Sequence, residues 1–195
     1  MPSDPAVLIL IYGVIPLWLA AGFADWVCHR ASHIATTTGP KESLIHLLLF
    51  VEVGLPFLAA LFLEINALII AFMIAAFIAH EVTALWDVRY ASTAREITPT
   101  EQHIHSFLEV IPLLALLTVI SRHWDQFLAL FGAGSEEAGF DLMWKSEQLP
   151  ATYLWFLLAA NILFEVLPYL EELIRGLRAN NGRFVPGPAK RAAKT

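Results

Sequence analysis

The sequence is short of charge and of cysteine. Charged residues make up 15% of the 195 positions, against about 25% in soluble domains, and that shortfall excludes an ordinary soluble domain. A single cysteine, Cys28, excludes an internal disulfide framework and a thiolate zinc cluster. Cys28 itself reads as a small core or lipid-facing residue. The opening "MPSDPAVLILIYGVIPLWLA" lacks the basic stretch of a secretory signal, and its apolar run is long for one. It is expected to be a retained first span. What the chain has in excess is apolar surface: 57% of its residues are hydrophobic.

A membrane span needs roughly 20 mainly apolar residues. Five segments qualify: about 6–34, 40–63, 66–90, 99–120 and 152–177. The expected fold is an all-α polytopic bundle over 1–179, with an interfacial helix at about 121–131 and a basic, flexible tail at 180–195. Local signals mark the ends. Pro40 follows Gly39 at a helix start, and Thr98, Pro99 and Glu101 have the spacing of a capping box. Pro56, Pro112 and Pro168 fall inside spans and predict kinks.

The cations give an orientation. Lys and Arg number 12, and all but Arg122 and Lys145 fall in the joins between spans 1–2 and 3–4, in the tail, or on the helix ends beside them. The positive-inside rule then puts the N-terminus outside and the C-terminus in the cytoplasm, in an inner or plasma membrane. Six of the seven histidines map to the cytoplasmic halves of spans 1–4; His123 is the exception and reads as interfacial.

Carboxylates accompany those histidines at helical spacings. Span 1 carries Asp25, His29 and His33 in steps of four. Span 2 carries Glu42 and His46, then Glu52. Span 3 carries His80 and Asp87, and span 4 carries Glu101, His105 and Glu109. Steps of four and seven place side chains on one helix face. Four helices would therefore converge on one polar centre near the cytoplasmic face. By depth, Asp25, Glu52, His80 and Glu109 are expected deepest, and His29, His46 and His105 in the middle. His33, Glu42, Asp87 and Glu101 are expected at the mouth. A charged residue at mid-membrane costs at least ~2.5–3.5 kcal/mol, and metal ligation removes most of that cost. Two metal ions bridged by a carboxylate fit such a volume.

Several of these residues have simpler readings. Glu101 can complete the capping box, Glu42 can answer a helix dipole, and Asp87 can pair with Arg89 or Arg95. His103 faces away from His105 and reads as supporting or surface-facing. Glu81 can pair with arginine or ligate. Glu165, on span 5 without a histidine at helical spacing, can be a packing residue, a proton carrier or a ligand.

The "HRASH" stripe at His29–His33, with further histidines at the ends of membrane helices, resembles the histidine-motif integral-membrane di-iron enzymes: fatty-acid desaturases, lipid hydroxylases and alkane monooxygenases. "EQHIH" is the nearest counterpart to that family's paired histidine boxes. The chain has fewer histidines and more acids, and in this is similar to ferritin-like di-iron carboxylate bundles. The resemblance implies two irons, activation of O2, oxidation of a hydrophobic or lipid substrate, and electrons from a donor protein. His and carboxylate ligands without cysteine suit iron, zinc or manganese; iron is preferred and no haem is expected. A zinc hydrolase acting on a lipid amide or ester, with Glu101 or Glu109 as base, is the alternative, and a metal-binding or transport protein a third. The outer halves of spans 1–4 are nearly devoid of polar residues, which argues against a through-path. The basic tail could meet anionic lipid or an acidic donor, and no nucleic-acid partner is expected.

Overall fold

A computed structural model describes residues 4–186. The tail cations Lys190, Arg191 and Lys194 lie outside the described residues. Among those described, regular structure is helical, and one isolated β-bridge joins Leu63 to Trp144. Five helices are long and apolar enough to cross a membrane: α1 Pro5–Ala31, α2 Pro40–Phe62, α3 Ala67–Ala91, α4 Pro99–Arg122 and, after the short α5 Trp124–Ala129, α6 Ala151–Ala179.

Local chemistry sets the helix starts. Asp4 accepts from the Ala6 N–H at 2.8 Å, Asn66 from Ile69 at 3.2 Å, and Thr98 from Glu101 at 3.2 Å. Each supplies an acceptor to a first-turn N–H that has no partner in the helix.

The exit of α1 differs from expectation. The helix stops at Ala31, not near Ile34, and His33 sits at φ 54° in the following turn. Thr36 and Thr37 hydroxyls both donate to the His33 carbonyl at 3.2 Å, a local alternative to the helical ladder. The turn tucks Ile34 fully inside and leaves His33 exposed.

Two helices contain a π-helical turn, Leu10–Val14 in α1 and Ile162–Val166 in α6. Each is followed two residues later by a proline, Pro16 or Pro168. Proline lacks an N–H and crowds the carbonyl four residues back, and a wider turn relieves both conflicts inside an apolar helix.

The helices pack α2 on α3, α1 on α4, α3 on α4, and the last half of α6 on α2 and α1. The apolar cores lie away from the polar end. One joins Ile69, Ile70 and Met73 to Leu116 and Ile120, and another joins Val14 and Trp18 to Ile111 and Ala160. Many large apolar side chains, such as Leu55, Val82, Leu117 and Phe156, point outward. An outward apolar surface of this kind suits lipid. The expected interfacial helix is shorter than 121–131, because the chain breaks at His123. The loop before α6 lies across the α2–α3 turn through Glu64 N–H to Met143 and Lys145 N–H to Phe62.

Candidate metal centre

Five helices and a loop bring polar side chains together at one end of the bundle. Asp25 and His29 come from the last turns of α1. Glu42 and His46 come from the start of α2, Asp87 from the end of α3, and Glu101 and His105 from the start of α4. His29, Glu42 and Glu101 are completely buried, and Asp25, Asp87 and His46 nearly so. Two overlapping groups have ligand atoms close enough to share an ion: Asp25, His29, Glu101 and His105, and His29, Glu42 and His46.

The ring of His29 lies flat against that of His46, with centroids 4.2 Å apart and planes 9° from parallel. Behind both rings stands one carboxylate. Glu172 of α6 meets His29 Nδ1 at 3.0 Å through one oxygen and His46 Nδ1 at 2.9 Å through the other. A histidine whose Nδ1–H donates to a carboxylate presents a lone pair at Nε2, the usual arrangement of a metal ligand.

The two Nε2 atoms face acids. His29 Nε2 lies 3.3 Å from Asp25 and 3.6 Å from Glu101. His46 Nε2 lies 3.2 Å from Asp87 and 3.9 Å from Glu42. His105 Nε2 lies 2.9 Å from Asp25 Oδ1. Yet His29 Nε2, His46 Nε2, Asp25 Oδ1 and Asp87 Oδ1 are buried without a hydrogen bond. Buried polar atoms are almost always hydrogen-bonded. A proton on the ring nitrogens or a cation between the acids and the rings would satisfy these atoms.

Arg95, from the loop joining α3 to α4, supplies one positive charge. Its Nη2 meets Glu42 and Glu101 at 2.6 Å each, and its Nη1 meets Glu101 again at 2.9 Å. Burial opposes the Arg95 charge, but Glu101 and Glu42 more than offset it, and its pKa rises above the ordinary arginine value. Glu101 is thereby turned to Arg95 and the cluster; Thr98 still caps its backbone, but the reciprocal half of the capping box is not made.

The expected three layers are redrawn. Glu42, Asp87 and Glu101, assigned to the mouth, share the cluster with Asp25, while the deep-layer Glu52 and Glu109 stay out. Glu52 is instead hydrogen-bonded by Thr83 at 2.9 Å. His80, Glu109 and Glu165 border a cavity of about 60 Å³ beside the cluster, together with Asp25, His46, Asp87 and His105. Glu81 is half-buried outside both ligand groups. His33 does not join, because the helix ends before it. His103 is exposed and lies edge-on to Phe107, 5.2 Å away.

Sequence reasoning missed Glu172 and Tyr169. Tyr169 places its hydroxyl 3.3 Å from Asp25 and 3.2 Å from the Gly22 carbonyl. Glu165, Tyr169 and Glu172 form a stripe at steps of four and three on α6, the same spacing rule that marked the other helices. A search keyed to histidine passes over it.

A second, larger cavity of about 470 Å³ lies on the other side of Trp18 and Val53, which border both cavities. Its walls are mostly apolar, with Glu52 among them, and its far end reaches Arg122, His123, Lys145 and Glu147.

This fold and site define a helical bundle of membrane-spanning type with a buried His/Asp/Glu cluster at one end. Compared with protein-family models, curated proteins and solved structures, the chain shows no match in any of the three.

Proposed function

We propose that the chain is an integral-membrane dinuclear metal enzyme, with iron as the preferred metal, that uses O2 to oxidise a hydrophobic substrate. The observation that carries the proposal is the pair of stacked imidazoles held from behind by Glu172. The two rings, 4.2 Å apart and nearly parallel, would offer adjacent nitrogen donors of the kind a two-metal site needs.

Charge balance supports the same reading. Asp25, Glu42, Asp87, Glu101 and Glu172 against Arg95 leave a formal charge of minus four, which two divalent cations cancel. His29, Asp25, Glu101 and His105 would hold one ion, and His46, Glu42 and Asp87 the other. His and carboxylate donors suit iron or manganese as well as zinc. Two irons would supply O2 activation. The protein's part is to hold the ring nitrogens through Glu172, to fix Asp25 through Tyr169, and to keep water out. The apolar chamber behind Trp18 favours oxidation of a hydrophobic substrate over hydrolysis, which needs water at the reacting bond.

The cation distribution supports a centre on the cytoplasmic side of an inner or plasma membrane, N-terminus outside and C-terminus inside. Electrons would come from a donor protein at that face.

Metal analysis of the purified chain tests the proposal. About two irons per chain are expected. His29→Ala and His46→Ala should each remove most of the metal, while His33→Ala and His103→Ala should retain it. Two zinc ions with hydrolytic activity would transfer the site to the hydrolase reading, and a metal-free protein that folds normally would overturn both.

A further inference from the structure

The larger cavity has an unusual charge at its far end. Lys145 is half-buried and lines the chamber. Its ammonium donates to the carbonyl of Ala60, and among the described residues no carboxylate lies within salt-bridge distance of it. Arg122 and His123, at the end of α4, line the same region, and Arg122 pairs with Asp4. Glu52 and Glu147 also line the chamber but neither forms an ion pair with Lys145, and an ammonium held in a mostly apolar wall with only a carbonyl partner is costly to bury. Burial pushes the Lys145 pKa down, with Glu64 opposing. An anion beside it would remove that cost.

The length of the chamber limits what the anion can carry. From Ile111 to Arg122, both on its wall, α4 advances 11 residues, or roughly 16 Å at 1.5 Å per residue. A saturated chain of about a dozen carbons spans that distance, given standard C–C bonds near 1.5 Å. At the near end stands Trp18, stacked on Phe50 at 6.2 Å with planes 7° apart. Trp18 and Val53 form the partition between the chamber and the cavity beside the metal centre.

We infer that the chamber binds a single apolar chain ending in an anionic head. The head lies at Lys145 and Arg122, and the chain end lies against Trp18, nearest the metal ligands. The proposal deepens the oxidase reading, on which its catalytic meaning rests: the atoms presented to the centre would be those farthest from the head. The anion-headed chain has two sources with the same chemistry, a free long-chain acid or one chain of an acidic phospholipid.

Bromine quenching of Trp18 tests this in the full chain, held in nanodiscs of neutral phosphatidylcholine. The Trp18 signal is the difference between wild type and Trp18→Phe. 12-Bromododecanoate should quench that signal several-fold more than 2-bromododecanoate. In wild type, 12-bromododecanol should bind about tenfold more weakly than the acid, the loss of one charge-assisted contact. Lys145→Met and Arg122→Gln should each erode that preference. A second arm uses discs holding phosphatidylglycerol brominated at its chain ends. Quenching there, with none from the free acid, assigns the chamber to a phospholipid chain; the reverse assigns it to the free acid. Equal quenching by both positional isomers, equal binding of acid and alcohol, or no Trp18 quenching in either arm would overturn the inference. The acid–alcohol comparison needs no variant beyond Trp18→Phe, so poor folding of the charge variants does not blunt it. Binding is read without turnover, so its failure is separate from failure of the metal reading.

Discussion

Glu172 is the residue on which the cluster turns. It makes no approach to the faces where ions would bind, yet it fixes both ring nitrogens behind them. Glu172→Gln keeps the shape but cannot accept from both rings with both terminal atoms. Metal affinity should fall about 10–100-fold, the usual effect of losing a carboxylate behind a ligating histidine, and titration with a competing chelator measures it. Arg95→Met has a different signature. Removing one partner of a buried ion pair costs about 3–5 kcal/mol, and Glu42 and Glu101 would be left facing each other. On the proposed reading, bound metal would supply the missing charge, so the loss of thermal stability should be larger in chelator-treated protein than in metal-loaded protein. Equal losses in both would show that Arg95 acts independently of the ions. At this scale, three histidine–acid pairs at steps of four, Asp25/His29, Glu42/His46 and Glu101/His105, were legible, whereas His80 at a step of seven from Asp87 lies outside both ligand groups. Glu172 was not legible, because its helix carries no histidine. His33 was misplaced because its spacing continues the stripe while three threonines and Gly39 pull the backbone out of the helix.

At the scale of the element, five apolar runs predict five helices, and their ends agree with the structure to within a few residues. The π-helical turns were not legible, although Pro16 and Pro168 mark them: a periodicity argument assumes one helical pitch throughout. The turn in α6 sets which way Glu165 faces, and it aims that carboxylate at Gly22 of α1. An added Cβ at Gly22 would occupy the space of the Glu165 carboxylate. Because that carboxylate is the flexible end of its side chain, Gly22→Ala should displace it with little loss of stability, seen as a carboxyl infrared band that shifts while Tm holds. Gly176 is the opposite case. A Cβ there would meet Pro40 at 3.2–3.4 Å, and a proline ring at a helix start has no room to yield. Gly176→Ala should therefore push α6 from α2 and cost about 1–3 kcal/mol. A fall in Tm accompanied by weaker metal retention is expected, since Glu172 lies one turn away.

For the whole molecule, the uneven distribution of polarity is the governing fact. Acids, imidazoles and one arginine are concentrated at one end, and the rest of the bundle is mostly apolar, apart from Glu52 and the charged groups at the far end of the larger cavity. Composition alone made the membrane reading legible. The two cavities were not, because empty space depends on how side chains from several helices meet. Metal ions that bind the folded cluster and not the unfolded chain should stabilise the fold, by about 2.7 kcal/mol per site at a hundredfold excess over Kd. Protons compete for the same imidazoles and carboxylates. Retained metal should therefore fall between pH 7.5 and 5 and return when pH is restored, as read by metal analysis of protein passed through a desalting column at each pH. Metal content unchanged at pH 5 would mean the ions are held by some other part of the chain.

A single carboxylate holding two rings also couples what happens at each. Both rings are fixed by Glu172 before any ion arrives, so under the proposed metal reading a change that frees one ring would loosen the other. His29→Ala is therefore expected to weaken binding at His46 as well, read as the loss of more than one metal equivalent per chain.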